Sequence, residues 1–485
     1  MSNAIEGLNP AAVWKYFAEI ATIPRCSKHE ERMTKYILDT AKRLGLKAKA
    51  DSMGNVVVKK PASPGKEKVR SIALQGHLDM VCEKNKDKVH DFSKDPLELV
   101  RKGNMLMANG TTLGADNGIA VATNLAIMED KSLVHGPLEF LFTVDEETGL
   151  TGAAGLAHDF LDSRTLMNLD SEEEGALYVG CSGGRDTTGT WAVQYDAAPK
   201  GTVAAHLMVA GLKGGHSGLE IHQGRGNAIK IINRALLALE TLGARLSSIE
   251  GGNKRNAIPR ECEATLFLPA KAWDDAVKAV AAFNKAAKAE VSTADPDLAV
   301  TLTAVAGAKK GKVLKKAVQR KVLTTISALP HGVIKMSADI PGLVETSTNV
   351  AVINTGKKGI SIATSQRSSV ETEITEVCHT VASIFALGGA AVATGDGYPG
   401  WKPDLKSPIL KTAKATYKQL YGKEPLVKAI HAGLECGIIG ERIPGMDMVS
   451  FGPTMEGVHS PDEKIHIDTV PLFYDFVLGI LKNVN

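Results

Sequence analysis

The sequence contains few cysteines, and none of them form a CxxC pair or a compact disulfide framework. A small scaffold stapled by disulfides is therefore not expected. Scattered thiols in a long chain are typical of a reducing compartment. The six cysteines are Cys26, Cys82, Cys181, Cys262, Cys378 and Cys436.

Long apolar runs and a strong net charge are also missing. No run approaches the roughly 20 apolar residues that a membrane-spanning helix needs. The N-terminus lacks a basic stretch followed by an apolar segment, so no secretory signal is expected. The 57 basic and 54 acidic residues leave a net charge of +3, which favours neither a nucleic-acid nor a membrane partner. We expect a cytoplasmic protein.

The chain does have the length and composition of a multidomain globular protein. Its 485 residues, 44% hydrophobic and 23% charged, predict two or three domains. Strand-like runs alternate with a helical run before about residue 187, which is typical of an α/β sheet covered by helices. The pattern changes at 188 and returns at 396. We predict a catalytic domain in two parts, 1–187 and 396–485, with an α+β domain inserted at 188–395.

Two helix starts are indicated near the N-terminus. Asn9 followed by Pro10 is typical of an N-cap and a first helical position. Ser27 with Glu30 three residues later has the pattern of a capping box. Both signals predict helices that begin at these residues.

Charged residues gather where the predicted strands end. In LQGHLDM, His77 and Asp79 share one face of a strand, because residues i and i+2 point the same way. Ligands of α/β sheets usually lie beyond the carboxyl ends of the strands. Further candidates follow other predicted strands or lie in adjoining loops: Asp116, Glu146, Glu147, Asp170 and His459.

Each of these residues also has an ordinary structural explanation. Asp116 and Asp170 could cap helices, Glu146 and Glu147 could form a solvated strand end, and His459 could lie in a surface turn. Together, however, two histidines and three carboxylates suffice for two divalent ions that share one carboxylate. Mixed imidazole and carboxylate ligands suit zinc, with manganese or cobalt as substitutes. One adjacent glutamate would remain free as a general base.

Six motifs resemble those of the cocatalytic-zinc peptidases and deacylases, a group that includes glutamate carboxypeptidases, peptidase T and succinyl-diaminopimelate desuccinylase. They are GHLDMV, LGADNGIAVA, DEETGLTGA, NLDSEEEG, GGHSG and EGVHSPDE. The ADNG variant, the long insert and HAGLECG at 431–437 are similar to the aminoacyl-histidine dipeptidases of this group. The resemblance extends nearly end to end. It implies an α/β zinc-peptidase domain with helices on both faces of a mixed sheet, plus an inserted α+β lid domain.

The resemblance also implies a ligand set for two zinc ions per subunit, with cobalt or manganese as possible substitutes. His77 and Asp170 would hold one ion, Glu147 and His459 would hold the other, and Asp116 would bridge them.

Three residues receive catalytic roles from the same resemblance. Asp79 would accept the second ring N–H of His77 and so fix its tautomer. Glu146 would take a proton from the water between the two zinc ions and return it to the leaving amine. His216 lies in a loop of small residues, KGGHSG, and would stabilise the oxyanion, often from the partner subunit of a homodimer.

Substrate recognition is expected from three more residues. The related dipeptidases suggest that Arg367 and Asn256 bind the free carboxylate of the substrate, and arginine suits this role because its fork matches a carboxylate bidentately. Glu435 could pair with a substrate amino group. The alternatives are an ordinary salt bridge for Arg367 and a structural role for Glu435.

The resemblance predicts a metallodipeptidase that hydrolyses small unblocked dipeptides with broad specificity, including Xaa-His. An N-acyl amino acid deacylase of the same fold is the nearest alternative, because the same metals would serve a different amide. A non-catalytic metal- or peptide-binding relative is another, and the intact Glu146 argues against it.

Overall fold

The computed structural model describes residues 3–305, 311–357 and 359–484. Two compact units are present. The first consists of Met1–Cys181, Trp401–Ala429 and Leu434–Asn485, and the second of Ser182–Gly400 with Ile430–Gly433. The predicted insert, 188–395, does not include this short return segment.

The chain up to Cys181 supplies most of the first unit. Its helices are α1 (Ala11–Ile20), α2 (Glu31–Arg43), α3 (Ala115–Glu129), α4 (Glu146–Gly149) and α5 (Thr151–Ala154). Its strands are β1 (Lys47–Ala50), β2 (Val56–Lys60), β3 (Ile72–His77), β4 (Leu99–Lys102), β5 (Met105–Ala108), β6 (Leu138–Thr143), β7 (Thr165–Asn168) and β8 (Ala176–Cys181). A short 3-10 helix, Asn3–Ile5, precedes them.

The middle of the chain forms the second unit. Its strands are β9 (Gly183–Ala192), β10 (Tyr195–Ala197), β11 (Thr202–Ala210), β12 (Gly215–His216), β13 (Arg245–Gly251), β14 (Ala257–Ile258), β15 (Cys262–Pro269), β16 (Ala299–Ala304), β17 (Lys312–Leu314), β18 (Gly332–Met336), β19 (Val344–Thr355), β20 (Gly359–Ser368) and β21 (Ala391–Thr394). Its helices are α6 (Ala228–Thr241), α7 (Trp273–Val291), α8 (Lys316–Ala328) and α9 (Glu371–Leu387), with a 3-10 turn at Ala270–Ala272.

The last part of the chain returns to the first unit. It contains α10 (Pro408–Tyr421), β22 (Leu426–Ile430), α11 (Glu435–Arg442), β23 (Asp447–Ser450), β24 (Met455–Glu456), β25 (Lys464–His466) and α12 (Thr469–Asn483).

A mixed sheet organises the first unit, with strands in the order β1-β2-β6-β3-β7-β23-β8-β22. Strand β3 runs parallel to β6 and β7, and β23 runs parallel to β7. Every residue of β3, β6 and β7 is buried, as expected for strands covered on both faces. The predicted α/β fold is confirmed. The carboxyl ends of these four parallel strands meet at one edge.

The second unit has an α+β architecture around a largely antiparallel sheet, ordered β16-β11-β15-β13-β19-β20-β9-β21. Helix α6 shows why its sequence is helical: the Asn227 side chain caps it by accepting the N–H groups of Ile229 and Lys230. Its apolar residues recur at helical spacing, and Ile232 and Leu236 are among those buried in the core of this unit. Such a stripe stabilises a helix by burial against a sheet.

Both helix starts predicted near the N-terminus are wrong in detail. Helix α1 begins at Ala11, after Pro10, without a side-chain cap. Helix α2 begins at Glu31, and the expected capping box does not form. The Ser27 hydroxyl donates instead to Asp79 (2.8 Å). Glu30 accepts the N–H of Asp145 (3.0 Å). These two side chains therefore support the edge of the sheet where the candidate site lies.

The expectation of free thiols is wrong for one pair. Cys26 and Cys82 form a disulfide, which joins the segment before α2 to the segment after β3. The other four cysteines are free and buried. The thiol argument for a reducing compartment therefore does not extend to this pair. Within the described ranges, no helix is long and apolar enough to cross a membrane.

Candidate metal centre

Parallel strands place four of the candidate residues at one edge of the sheet in the first unit: His77, Glu146, Glu147 and Asp170. His77 is the last residue of β3, and Glu146 and Glu147 open α4 just after β6. Asp170 follows β7 and Asp116 lies at the start of α3. Because parallel strands end on the same side of a sheet, residues far apart in sequence become neighbours here.

The imidazole of His77 faces two carboxylates. Its Nε2 lies 3.1 Å from Asp116 Oδ1 and 3.3 Å from Asp170 Oδ1. The histidine is fully buried. A buried nitrogen that faces two carboxylate oxygens has the donor chemistry of a site for a divalent metal ion.

The imidazole of His459 forms the second half of the arrangement. Its Nε2 lies 3.1 Å from Asp116 Oδ2 and 2.9 Å from Glu147 Oε2. His459 has a φ of 63°, a left-handed conformation that non-glycine residues rarely adopt and that surrounding contacts must maintain. Asp116 thus presents one oxygen to each histidine.

Two trios could each hold a divalent ion: His77 with Asp116 and Asp170, and Asp116 with Glu147 and His459. Within each trio the potential ligand atoms lie within 4.8 Å of one another. The buried Oε1 of Glu147 has no hydrogen-bond partner among the described residues, so a ligand position is open there. The residues present fit two metal ions that share Asp116.

The electrostatics show how crowded this edge is. Burial alone would lower the pKa of His77, but Asp170, Asp116 and Asp79 together raise it well above its ordinary value. Hydrogen bonds that the His459 ring makes to the carboxylates of Asp116 and Glu147 raise the pKa of His459 to about 11. Burial, with Asp116 and Glu147 nearby, raises the pKa of Asp170 to about 7. Several buried carboxylates thus compete for the same positive charge, which divalent cations can supply.

Asp79 connects the ends of two strands. Its Oδ1 lies 3.3 Å from His77 Nδ1, although the pair does not meet hydrogen-bond geometry. The same carboxylate accepts the backbone N–H groups of Glu146 (3.1 Å) and Glu147 (3.2 Å). Despite its burial, the contacts with His77 and Ser27 lower the pKa of Asp79 to about 2.

Glu146 lies beside the two trios. An oxygen of its carboxylate and ligand atoms of His77 and Glu147 fall within 4.8 Å of one another. Burial raises the pKa of Glu146 well above its ordinary value, and the charges of Asp170 and Glu435 add to this effect. Its backbone is held by Asp79, so its side chain starts from a fixed position.

His216 lies in the second unit, on the β12–β14 ribbon, where it pairs with Ala257. Its Nδ1 accepts the N–H groups of Gly218 (3.2 Å) and Leu219 (3.0 Å). An accepting Nδ1 carries no proton, so the neutral ring carries its proton on Nε2. Burial and the charge of Arg367 lower the pKa of His216 to about 4, which keeps the ring neutral at pH 7.

The predicted carboxylate-binding residues also lie in the second unit. Arg367 is buried, and its Nη1 donates to Tyr398 Oη (2.9 Å). Asn256 is exposed beside the His216 ribbon, and its carbonyl oxygen accepts the N–H of Ser217 (2.9 Å). The structure therefore brings Arg367 and His216 within electrostatic range of each other.

Glu435 belongs to the first unit and is fully buried. Its Oε2 accepts Gln75 Nε2 (2.6 Å) and Thr143 Oγ1 (2.7 Å). Burial raises its pKa to about 8, and Asp170 and Asp79 contribute in the same direction. These contacts with β3 and β6 support the structural alternative more directly than an interaction with substrate.

Two further residues were missed by sequence reasoning. Asn117 accepts the N–H of His77 (3.2 Å) and donates to the carbonyl of Leu169 (2.9 Å), so it ties β3 to the segment after β7. His431, in the second unit, shares a hydrogen bond of 2.7 Å with Ser347. Both residues lie in motifs that the sequence shows: Asn117 in ADNG and His431 at the start of HAGLECG.

The chain is similar to several known proteins. The model of peptidase family M20/M25/M40 matches residues 73–483. The cytosol non-specific dipeptidase of Escherichia coli is 42% identical over 478 residues, which cover 98% of both chains. The crystal structure of aminoacylhistidine dipeptidase from Vibrio alginolyticus has 43% identity and a TM-score of 0.92, covering 99% of this chain and 98% of that one.

A more distant structure shares the fold. Aminopeptidase PepT from Bacillus cereus has a TM-score of 0.58 at 17% identity and covers 98% of this chain and 99% of its own. The resemblance predicted from the motifs is confirmed, and the chain belongs to peptidase family M20/M25/M40.

Proposed function

We propose that this member of the M20/M25/M40 peptidases is a dizinc dipeptidase that acts on unblocked dipeptides, including Xaa-His. The observation that carries the proposal is the shared carboxylate: Asp116 Oδ1 faces His77 Nε2, and its Oδ2 faces His459 Nε2, each at 3.1 Å. Similarity to two proteins named as dipeptidases supports this substrate class.

In this proposal His77 and Asp170 hold one zinc ion, Glu147 and His459 hold the other, and Asp116 bridges them. Cobalt and manganese would suit the same ligands. When bound, the ions would polarise the scissile carbonyl and lower the pKa of the attacking water.

The proton transfers are assigned to Glu146. Its neighbour Glu147 forms a close contact with His459, whereas among the described residues Glu146 lies near His77 without an ion pair to it, which leaves its carboxylate available for a proton. Asp79 holds the backbone of both glutamates. Glu146 therefore takes the proton of the attacking water on its carboxylate and delivers it to the leaving amine.

Residues of the second unit are assigned to the substrate. The Nε2–H of His216 donates to the oxyanion of the tetrahedral intermediate. Arg367 and Asn256 bind the free carboxylate, and His431 lies near this arginine, since burial and the charge of Arg367 lower the pKa of His431 to about 3. The name of the E. coli relative supports action in the cytoplasm, and a homodimer is the assembly in which His216 could serve a neighbouring subunit.

Blocking either end of a good dipeptide is expected to lower kcat/KM sharply. A site built around a charged partner rejects an analogue that leaves its buried polar groups unpaired, typically by factors of about 10⁴. The measurement compares an unblocked dipeptide with its N-acetylated and C-amidated forms, using the zinc, cobalt and manganese enzymes. The panel should include Xaa-His and β-alanyl-histidine.

The deacylase alternative predicts the opposite order. Rapid cleavage of N-acyl amino acids with inert dipeptides would establish it and contradict a dipeptidase. Binding of dipeptides without turnover, in protein loaded with metal, would instead indicate a non-catalytic relative.

His216→Ala is expected to lower kcat by roughly 100- to 1000-fold, because one donor to the oxyanion is lost. An interaction made only in the transition state leaves KM nearly unchanged. Steady-state kinetics would be measured beside metal content and the unfolding temperature. His379→Ala is the matched control, since it removes an exposed imidazole of the same unit, on α9, that carries no proposed contact with substrate.

Mixed variants would show which chain supplies His216. If it acts across a dimer, combining inactive His216→Ala with inactive Glu146→Ala should restore some activity in hybrid dimers. A monomer without rescue would place His216 in the same chain as the metals it serves. Wild-type turnover in His216→Ala would remove the residue from the mechanism.

A further inference from the structure

A buried glutamate binds the backbone that carries the proposed bridging residue. Glu463 is 2% exposed. Its Oε2 accepts the N–H groups of Leu113 (2.7 Å) and Gly114 (2.9 Å). Its Oε1 accepts those of Ala115 (2.8 Å) and Asp116 (3.3 Å). One carboxylate thus serves four consecutive backbone donors.

These donors need an outside acceptor. The first N–H groups of a helix have no partner within the helix, and α3 departs from helical geometry at Asp116 and Asn117. Buried N–H groups without an acceptor are costly. A negative charge at this end also interacts favourably with the helix dipole. Glu463 therefore favours one conformation of the 113–116 segment.

A buried arginine holds the same segment from its carbonyl side. Arg25 is 2% exposed, and its Nη2 donates to the carbonyl of Gly114. Its Nη1 donates to the carbonyls of Leu78 (3.0 Å) and Asp79 (2.7 Å). The charge of Glu463 interacts favourably with this guanidinium. Gly114 is therefore bound on both sides: its N–H donates to Glu463 and its C=O accepts from Arg25.

We propose that Glu463 is a positioning residue for the dinuclear metal centre, with Arg25 as its counterpart. The loop that joins β24 to β25 carries both Glu463 and His459. Glu463 therefore couples the loop of one terminal ligand to the segment of the bridging ligand. Asp116 can face both histidines only if this segment is held in register with that loop. This inference rests on the proposed metal centre.

Glu463→Gln is the sharpest variant, because it preserves shape and removes acceptor capacity. The amide keeps one oxygen as an acceptor. Its NH₂ group is a donor, so it cannot accept hydrogen bonds from the backbone N–H groups that it would face. We expect the affinity for zinc to fall by about 10- to 100-fold, as is typical when a partner that orients metal ligands is changed. Titration against a competing chelator would measure this affinity and the number of ions bound.

The cobalt-substituted protein supplies a readout that a general loss of stability would not move. The visible absorption of bound Co²⁺ reports the geometry of its ligands, so a displaced Asp116 should alter the spectrum of Glu463→Gln. Glu463→Asp retains both carboxylate oxygens on a shorter side chain and should lie between Gln and the unaltered protein. Asp462→Asn is the matched control, since it makes the same change of charge at the exposed neighbouring residue.

Should Glu463→Gln fail to fold, Arg25→Lys tests the same positioning of the 113–116 segment through its hydrogen bond to the carbonyl of Gly114. Lysine keeps the positive charge but lacks the fork that reaches several carbonyls. The same loss of zinc affinity and a changed cobalt spectrum are expected.

The results separate this inference from the proposed function. Unaltered protein that binds no divalent metal would overturn the metal centre itself. Two ions bound by Glu463→Gln with unaltered affinity and an unaltered cobalt spectrum would overturn only the positioning role. A lower unfolding temperature alone, with both metal readouts unchanged, would overturn it equally, because Glu463 would then contribute to stability and not to ligand placement.

Discussion

Removing the metal ions is expected to abolish dipeptide hydrolysis, and zinc, cobalt or manganese should restore it. Without cations, the carboxylates of Asp116, Glu147 and Asp170 converge on two imidazoles, and none of these side chains can replace a metal ion as a Lewis acid. The experiment is exhaustive chelation, measurement of residual metal by mass spectrometry, and an activity assay at each step of metal return.

The number of ions required is the second part of this prediction. Two trios that share Asp116 predict that activity increases until two ions per chain are bound. Metal should also stabilise the fold, by about 4 kcal/mol at a free concentration 1000 times the dissociation constant. Circular dichroism of the metal-free protein is the control for folding. Full activity after complete metal removal would contradict the dizinc proposal.

The strands and their terminal residues could be predicted from sequence because the signal is local. The run LQGHLDM predicted a strand that carries His77 and Asp79, and the observed strand β3 covers Ile72–His77 and ends before Asp79. Parallel strands end on one side of a sheet, so the polar residues that follow them had to converge. His77 and Asp170 are neighbours in the structure for this reason, whereas Asp116 reaches His77 from the start of α3.

Side-chain partners at long range could not be predicted in the same way. Ser27 and Glu30 have the spacing of a capping box, yet they bind Asp79 and the backbone of Asp145. A local rule compares only neighbours in sequence, whereas a buried carboxylate and an unpaired N–H group compete for the same side chains once the chain folds. Local propensity yields to such contacts when burial makes an unpaired group costly.

The partners of Glu463 could not be predicted from the sequence either. It lies in the motif EGVHSPDE, but the sequence does not show that its acceptors face four N–H groups more than 300 residues away. The disulfide between Cys26 and Cys82 was missed because their separation of 56 residues resembles no compact framework. Both contacts depend on where the folded chain returns to β3 and α3.

Glu146→Ala is expected to lower kcat by about 100- to 10,000-fold, the usual contribution of a general base, while the protein retains both metal ions. Its carboxylate lies near His77 and Glu147 but forms no ion pair with an imidazole of the described residues, unlike that of Glu147. Only proton transfer should therefore be lost. Steady-state kinetics, metal content and the unfolding temperature would be measured on the same preparations, and Glu146→Gln provides a variant of nearly equal shape.

The adjacent Glu147 provides the comparison that decides the assignment. Its Oε2 lies 2.9 Å from His459 Nε2, so Glu147→Ala should reduce metal content, and activity should recover partly when excess zinc is added. Added zinc cannot restore Glu146→Ala, because a metal ion does not replace the missing base. If Glu146→Ala lost its metal and Glu147→Ala kept it, the two roles would be exchanged. Since Asp79 holds the backbone N–H groups of both residues, the difference between the variants would come from the two side chains alone.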